Sequence, residues 1–186
     1  MTTMTTDEIR VASRTRSAAD YPGTIRSYYP FWDTRYRPFL IKAIEAVPAE
    51  RFDFKPRPEL LTAHQIILHI PEAERAWIHQ IVEGGTDEEW VIPHPEPGQG
   101  WKTVRDVPDH ASLLALLEEW HRPTQRWLDR PAADLGRVFE YKFKDGQERR
   151  YKLHYILDHL QEHEIHHRAQ LISYFHLMGL ETPLSM

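Results

Sequence analysis

The chain has 186 residues, 27% of them charged, with 23 Lys and Arg against 28 Asp and Glu and a formal net charge of −5. That length suits one domain with a sizeable core, and the charge balance counts against the broad basic surface that a general nucleic-acid binder needs. The absence of cysteine excludes disulfides, a cysteine nucleophile, thiolate-held zinc and iron–sulfur clusters, so any thiol in its chemistry has to arrive as a cosubstrate.

The stretch from Met1 to Glu8 lacks the basic flank and apolar core of a secretion signal. No apolar run approaches the ~20 residues that span a bilayer, so a soluble, cytoplasmic protein with no membrane partner is expected. Residues 1–24 read as a polar, loosely packed leader with a short helix around 7–19, and residues 25–186 as the folded domain. From Ile25 to Val47, Tyr28, Phe31, Trp32, Tyr36, Phe39, Leu40 and Ala43 follow a helical period, with Pro38 expected to bend any helix that runs through it. Pro48, Pro56 and Pro58 mark a connection.

A second helix is expected from Thr62, which has capping-box spacing to Gln65, through Ile66, Ile67, Ile70, Ala73, Trp77 and Ile81 to Gly84-Gly85. Pro71 falls inside it and deprives the Ile67 carbonyl of its usual donor, which predicts a bend. Residues 86–108, with Pro93, Pro95, Pro97, Gly98 and Gly100, read as a long surface crossover, partly packed through Trp90, Val91, Ile92 and Trp101. A third helix starts behind Asp109 as N-cap and runs through Leu113, Leu117, Trp120 and Leu128, interrupted or kinked at Pro123. Val138–Phe143, Asp145-Gly146 and Glu148–Tyr151 carry the signals of a small β-hairpin. A fourth helix runs from near Lys152 to Gly179. The expected fold is all-α: a four-helix bundle with a long crossover and a candidate hairpin before the last helix.

The chemistry concentrates in that last helix. His163 and His167 stand one turn apart on a face otherwise built from Leu153, Ile156, Leu157, Leu160, Leu171, Tyr174 and Met178. Imidazoles in such a stripe need hydrogen bonds, a charge partner or a metal, and the pair reads as two ligands of a divalent cation. The second helix offers His69 as the third, near its middle and on the side of Ile66 and Ala73. Three imidazoles with an open position make a Lewis-acid site suited to zinc or nickel; a buried, hydrogen-bonded histidine cluster is the structural alternative. His159 extends the row and reads as a rim residue, while His166 is rotated away from His167. Glu162 and Glu164 read as solvated, Glu74 as a buried acceptor, and Arg168 as its partner across the bundle.

The segment His163-Glu164-Ile165-His166-His167-Arg168-Ala169-Gln170, followed by Gly179, resembles the terminal signature of the DinB/YfiT-like superfamily, with Ala169 where glycine is frequent. The stretch Thr62–Glu74 is similar to the same superfamily's first-ligand helix, with His69 in the ligand place and Glu74 in the usual acidic position. The resemblance covers about residues 25–180. It implies a metal triad of His69, His163 and His167, frequent homodimers, and chemistry that includes conjugation of bacillithiol, mycothiol or glutathione, isomerisation and hydrolysis.

On this reading the expected function is a metal-dependent transferase joining an external low-molecular-weight thiol to a small electrophile, with Tyr28, Trp32, Trp77 and Tyr155 as candidate pocket walls. A metal-dependent hydrolase, with Glu72, Glu74 or His166 moving the proton, is the alternative enzyme, and a non-catalytic metal-binding sensor the alternative of another class. A small-molecule substrate and a homodimer are expected, and no nucleic acid. No general base is assigned.

Overall fold

The computed structural model describes residues 22–85, 107–142 and 146–183, and the backbone alone at 91–93 and 101–103. The leader before residue 22, Trp90 and the hairpin tip at 143–145 lie outside the described residues. Helix α1 spans Arg37–Glu45 and is entered through a widened π turn at Trp32–Tyr36. Helix α2 spans Ala63–Glu74 and continues as a π segment, Arg75–Val82. Helix α3 spans His110–Leu128, and α4 spans Leu153–Met178. Strands β1 (Val91–Pro93) and β2 (Trp101–Thr103) pair antiparallel within the crossover, and β3 (Val138–Lys142) pairs with β4 (Glu148–Lys152) immediately before α4. The described residues form an all-α bundle in which α2 packs on α3 and α4, and α1 packs on α4.

The local chemistry sets these boundaries. Thr62 accepts from the Gln65 backbone N–H at 3.1 Å while the Gln65 side chain accepts from the Thr62 N–H at 2.8 Å, the reciprocal cap expected at the start of α2. Asp109 caps α3 in the same way through Ser112, a partner that the sequence reading did not name. Gly179 ends α4 with φ of 71°, a left-handed conformation that side chains disfavour.

Two expectations are corrected. The first element is not one helix from Ile25: a short 3-10 turn, Ile25–Tyr28, precedes the π turn, and Pro38 sits in the first turn of α1, where its missing N–H costs nothing. Pro123 does not interrupt α3, which runs through it to Leu128 with Pro123 buried. Within the expected crossover, β1 and β2 pair as a hairpin that the sequence pattern did not reveal.

Two apolar clusters fill the bundle. One gathers Leu40, Ile44, Ile66, Ile67, Ile70, Leu113, Leu117, Leu171 and Phe175. The other gathers Ile25, Trp32, Ile78, Leu128, Tyr151, Leu153, Ile156, Leu157 and Leu160. The buried polar residues, Arg37, Glu74, His121, Glu164 and His167 among them, belong to neither cluster.

Candidate metal centre

His69 from α2 meets His163 and His167 from α4. The three rings lie with centroids 4.8, 5.0 and 4.3 Å apart, each pair edge-to-face. One nitrogen from each lies within 4.8 Å of the others. The sequence reading named these three residues, and the fold brings all three together from two helices.

The details fit a cation. His163 Nε2 and His167 Nε2 are 3.0 Å apart, and imidazole nitrogens that share one ion at bonds of about 2.0–2.1 Å stand roughly 3.0–3.4 Å apart. The Gln170 amide oxygen faces His167 Nδ1 at 2.7 Å, and its NH2 group faces His166 Nε2 at 3.0 Å. An amide oxygen only accepts, so His167 carries its proton on Nδ1 and aims the Nε2 lone pair at the shared centre. Burial first, and then the neighbouring rings, hold the His163 imidazole down at about 2. Burial also holds His167 at about 4, against the opposing pull of Gln170. Both rings are therefore neutral at pH 7, the state in which nitrogen donates to a metal. His69 keeps 46% of its side-chain surface open, so one edge of the cluster faces solvent.

The other candidates fall around this centre. His159 lies 5.8 Å from His163, edge-on to Trp77 at 5.0 Å and parallel to Tyr155 at 6.1 Å, the rim position expected of it. His166 and Glu162 are exposed. Trp77 and Tyr155 are half-buried beside His159, whereas Tyr28 packs at the margin of the second apolar cluster.

Beneath the histidines lies a second polar cluster that sequence reasoning largely missed. Glu164 is not solvated but 3% exposed, and it pairs with Arg37 and accepts from the Trp32 indole N–H at 3.0 Å. Arg37 also reaches Glu74 at 3.5 Å and donates to the Leu117 carbonyl at 2.5 Å. His121, wholly buried, sets Nδ1 against Glu74 at 2.6 Å and Nε2 against Asp33 at 2.8 Å. A ring with a carboxylate on each nitrogen needs a proton on both, so His121 is an imidazolium. Burial pushes that ring down, but Glu74 and Asp33 outweigh it and raise it to about 9. Glu74 is driven up by burial and further down by His121 and Arg37, ending below the usual carboxylate range; burial leaves Glu164 above it. Arg37 thus takes the place expected for Arg168, which instead donates to the Tyr36 carbonyl at 3.4 Å and lies over Phe39. Glu74, His121 and Glu164 stand close enough to hold a metal themselves, but Arg37 and the His121 proton already satisfy those carboxylates.

A crevice too narrow for water joins the two clusters, lined by Trp32, Ile70, Glu74, Leu160, His163 and Glu164. The family model described as the DinB family matches residues 27–185. The chain belongs to the DinB family. No curated protein matches it significantly. Among the described residues of this DinB-family chain, no helix is long and apolar enough to cross a membrane.

Proposed function

We propose that this DinB-family protein holds a divalent cation, zinc or nickel, on His69, His163 and His167, and joins an external low-molecular-weight thiol to a small electrophile. The observation that carries this reading is the convergence of three imidazoles, two of them held neutral, with one edge open through His69. When bound, the cation supplies Lewis acidity that favours the thiolate form of a thiol beside it. The chain has no cysteine of its own, so the nucleophilic sulfur comes from the cosubstrate. A sulfur–carbon bond forms, the bond from that carbon to the leaving group breaks, and the thiol proton is released. Gln170 holds the His167 ring in its donating tautomer. Trp77, Tyr155 and His159 form an aromatic wall beside His163 that can take the apolar body of a substrate. A homodimer is part of the proposal, and light scattering measures it.

The test compares chelator-stripped protein with protein reloaded with Zn²⁺ or Ni²⁺, using glutathione or bacillithiol against an alkyl halide, an epoxide and an aryl halide. Conjugation that depends on reloading and is lost in H163A supports the reading. Equal rates with and without metal overturn it. Product formed without thiol replaces it with a hydrolase, and stoichiometric metal binding with no turnover replaces it with a sensor.

A further inference from the structure

Two of the three imidazoles have a side chain placed to orient them. Gln170 does this for His167, accepting from Nδ1 and leaving Nε2 for the centre. His69 has Glu72, one turn later on α2, with Oε2 3.9 Å from His69 Nδ1. The same nitrogen faces the acceptor in both cases.

Glu72 is otherwise unexplained. Its side chain is only 11% exposed, and its second oxygen, Oε1, is buried with no hydrogen-bond partner among the described residues. A buried carboxylate oxygen that meets no donor from the chain calls for an explanation. Its neighbours on α2 do not share that condition, since Glu74 is satisfied by Arg37 and His121. Glu72 also stands outside the group of nitrogens that lie within 4.8 Å of one another, so it is not a fourth member of that group.

We infer that Glu72 is the positioning residue of His69: it accepts the Nδ1–H, fixes the ring's tautomer, and turns Nε2 toward His163 and His167. The present separation exceeds a hydrogen bond by about 1 Å, and a ring with nearly half its surface open has the freedom to close it. His69 needs such a tether more than its partners do. His167 is buried and His163 largely so, and packing limits their rings, whereas little packs against the open side of His69. A carboxylate beside the ring also makes the imidazole a stronger donor and lowers the charge of the loaded site by one. The proposal rests on the metal reading for its purpose but not for its geometry.

The experiment uses full-length wild type, E72A and E72Q, with thermal melts to verify folding. Long-range ¹H–¹⁵N spectra of metal-free protein read the His69 tautomer, and competition with a chelator reads Zn²⁺ affinity. The expected result is an Nδ1–H tautomer in wild type, a mixture in E72A, and restoration in E72Q, whose amide oxygen also accepts. Zn²⁺ affinity falls 10- to 100-fold in E72A and recovers in part in E72Q. An unchanged His69 tautomer in E72A, or Zn²⁺ affinity within twofold of wild type, overturns the role of Glu72 while leaving the triad intact. If wild type binds no Zn²⁺, the metal reading fails, and the tautomer spectra still decide what Glu72 does.

Discussion

The histidine cluster and the ionic cluster beneath it share two helices, α2 and α4, to which the ionic cluster adds Arg37 of α1 and His121 of α3, yet they are satisfied in opposite ways. Around Arg37 every charge has a partner within the chain: Glu164 and Glu74 take the guanidinium, and Glu74 and Asp33 take the His121 protons. Around His69 the donors point at one another, two rings are held neutral, and one edge is open. The first arrangement pairs its charges within the chain, and the second leaves ring nitrogens facing one another beside an open edge. A cluster's proximity alone does not separate a scaffold from a site; whether its valences are spent does.

The sharpest way to break that contrast is Arg37→Met. It leaves Glu164 and part of Glu74 buried without a cation, which costs about 3–5 kcal/mol, a large share of the roughly 5–15 kcal/mol available to a domain. Urea denaturation should show the loss, and R37M/E164Q should recover much of it because the stranded carboxylate is gone. If R37M unfolds at the wild-type midpoint, the ionic cluster does not hold the bundle together.

The two regions should also answer to opposite ends of the pH scale. His121 is raised from 6.5 to about 9 in the folded protein. Its contribution is therefore complete below pH 6.5 and is lost as pH rises through about 9, a loss of about 3 kcal/mol at most. His163 and His167 are lowered, to about 2 and about 4. Their contribution is present above pH 6.5 and drains away as pH falls toward those values. Unfolding free energy measured from pH 4 to 10 should fall on both sides, and His121→Gln should remove only the alkaline limb. An alkaline limb that survives in H121Q would place the titrating group elsewhere.

Much of this was legible in the sequence, and the buried charges that it hid share one cause. His163 and His167 stood out because they interrupt an apolar stripe, and the caps at Thr62 and Asp109 because capping is local chemistry. The same rule applies to Glu164, four residues after Leu160 and three before His167, and to His121, between Leu117 and Thr124 on the buried face of α3. Arg37 likewise falls on the stripe of Leu40 and Ile44. Charge suggested solvent at Glu164 and drew no reading at Arg37 or His121, where periodicity places all three inside. The π turns were not legible, because hydrophobic spacing barely distinguishes a turn widened by one residue. Nor was the β1–β2 pairing, which joins residues across a Pro- and Gly-rich loop.

The smallest expected effect tests how independently His69 is held. Thr62→Ala removes one half of the α2 cap, the hydroxyl that accepts from the Gln65 N–H, and keeps the other, the backbone N–H that donates to the Gln65 side chain. A cap of this kind is worth about 1 kcal/mol, and its loss frays the first turn. His69 lies about two turns further on, between the buried Leu68 and Ile70, and Glu74 is anchored beyond it by Arg37 and His121. The ionic cluster should therefore pin α2 downstream of the frayed turn, so that T62A loses about 1 kcal/mol in urea and changes Zn²⁺ affinity less than twofold. If affinity instead falls in step with stability, the histidine cluster depends on the first turn of α2 rather than on the charges beneath it. The two regions would then be coupled through the helix end, not through their shared floor.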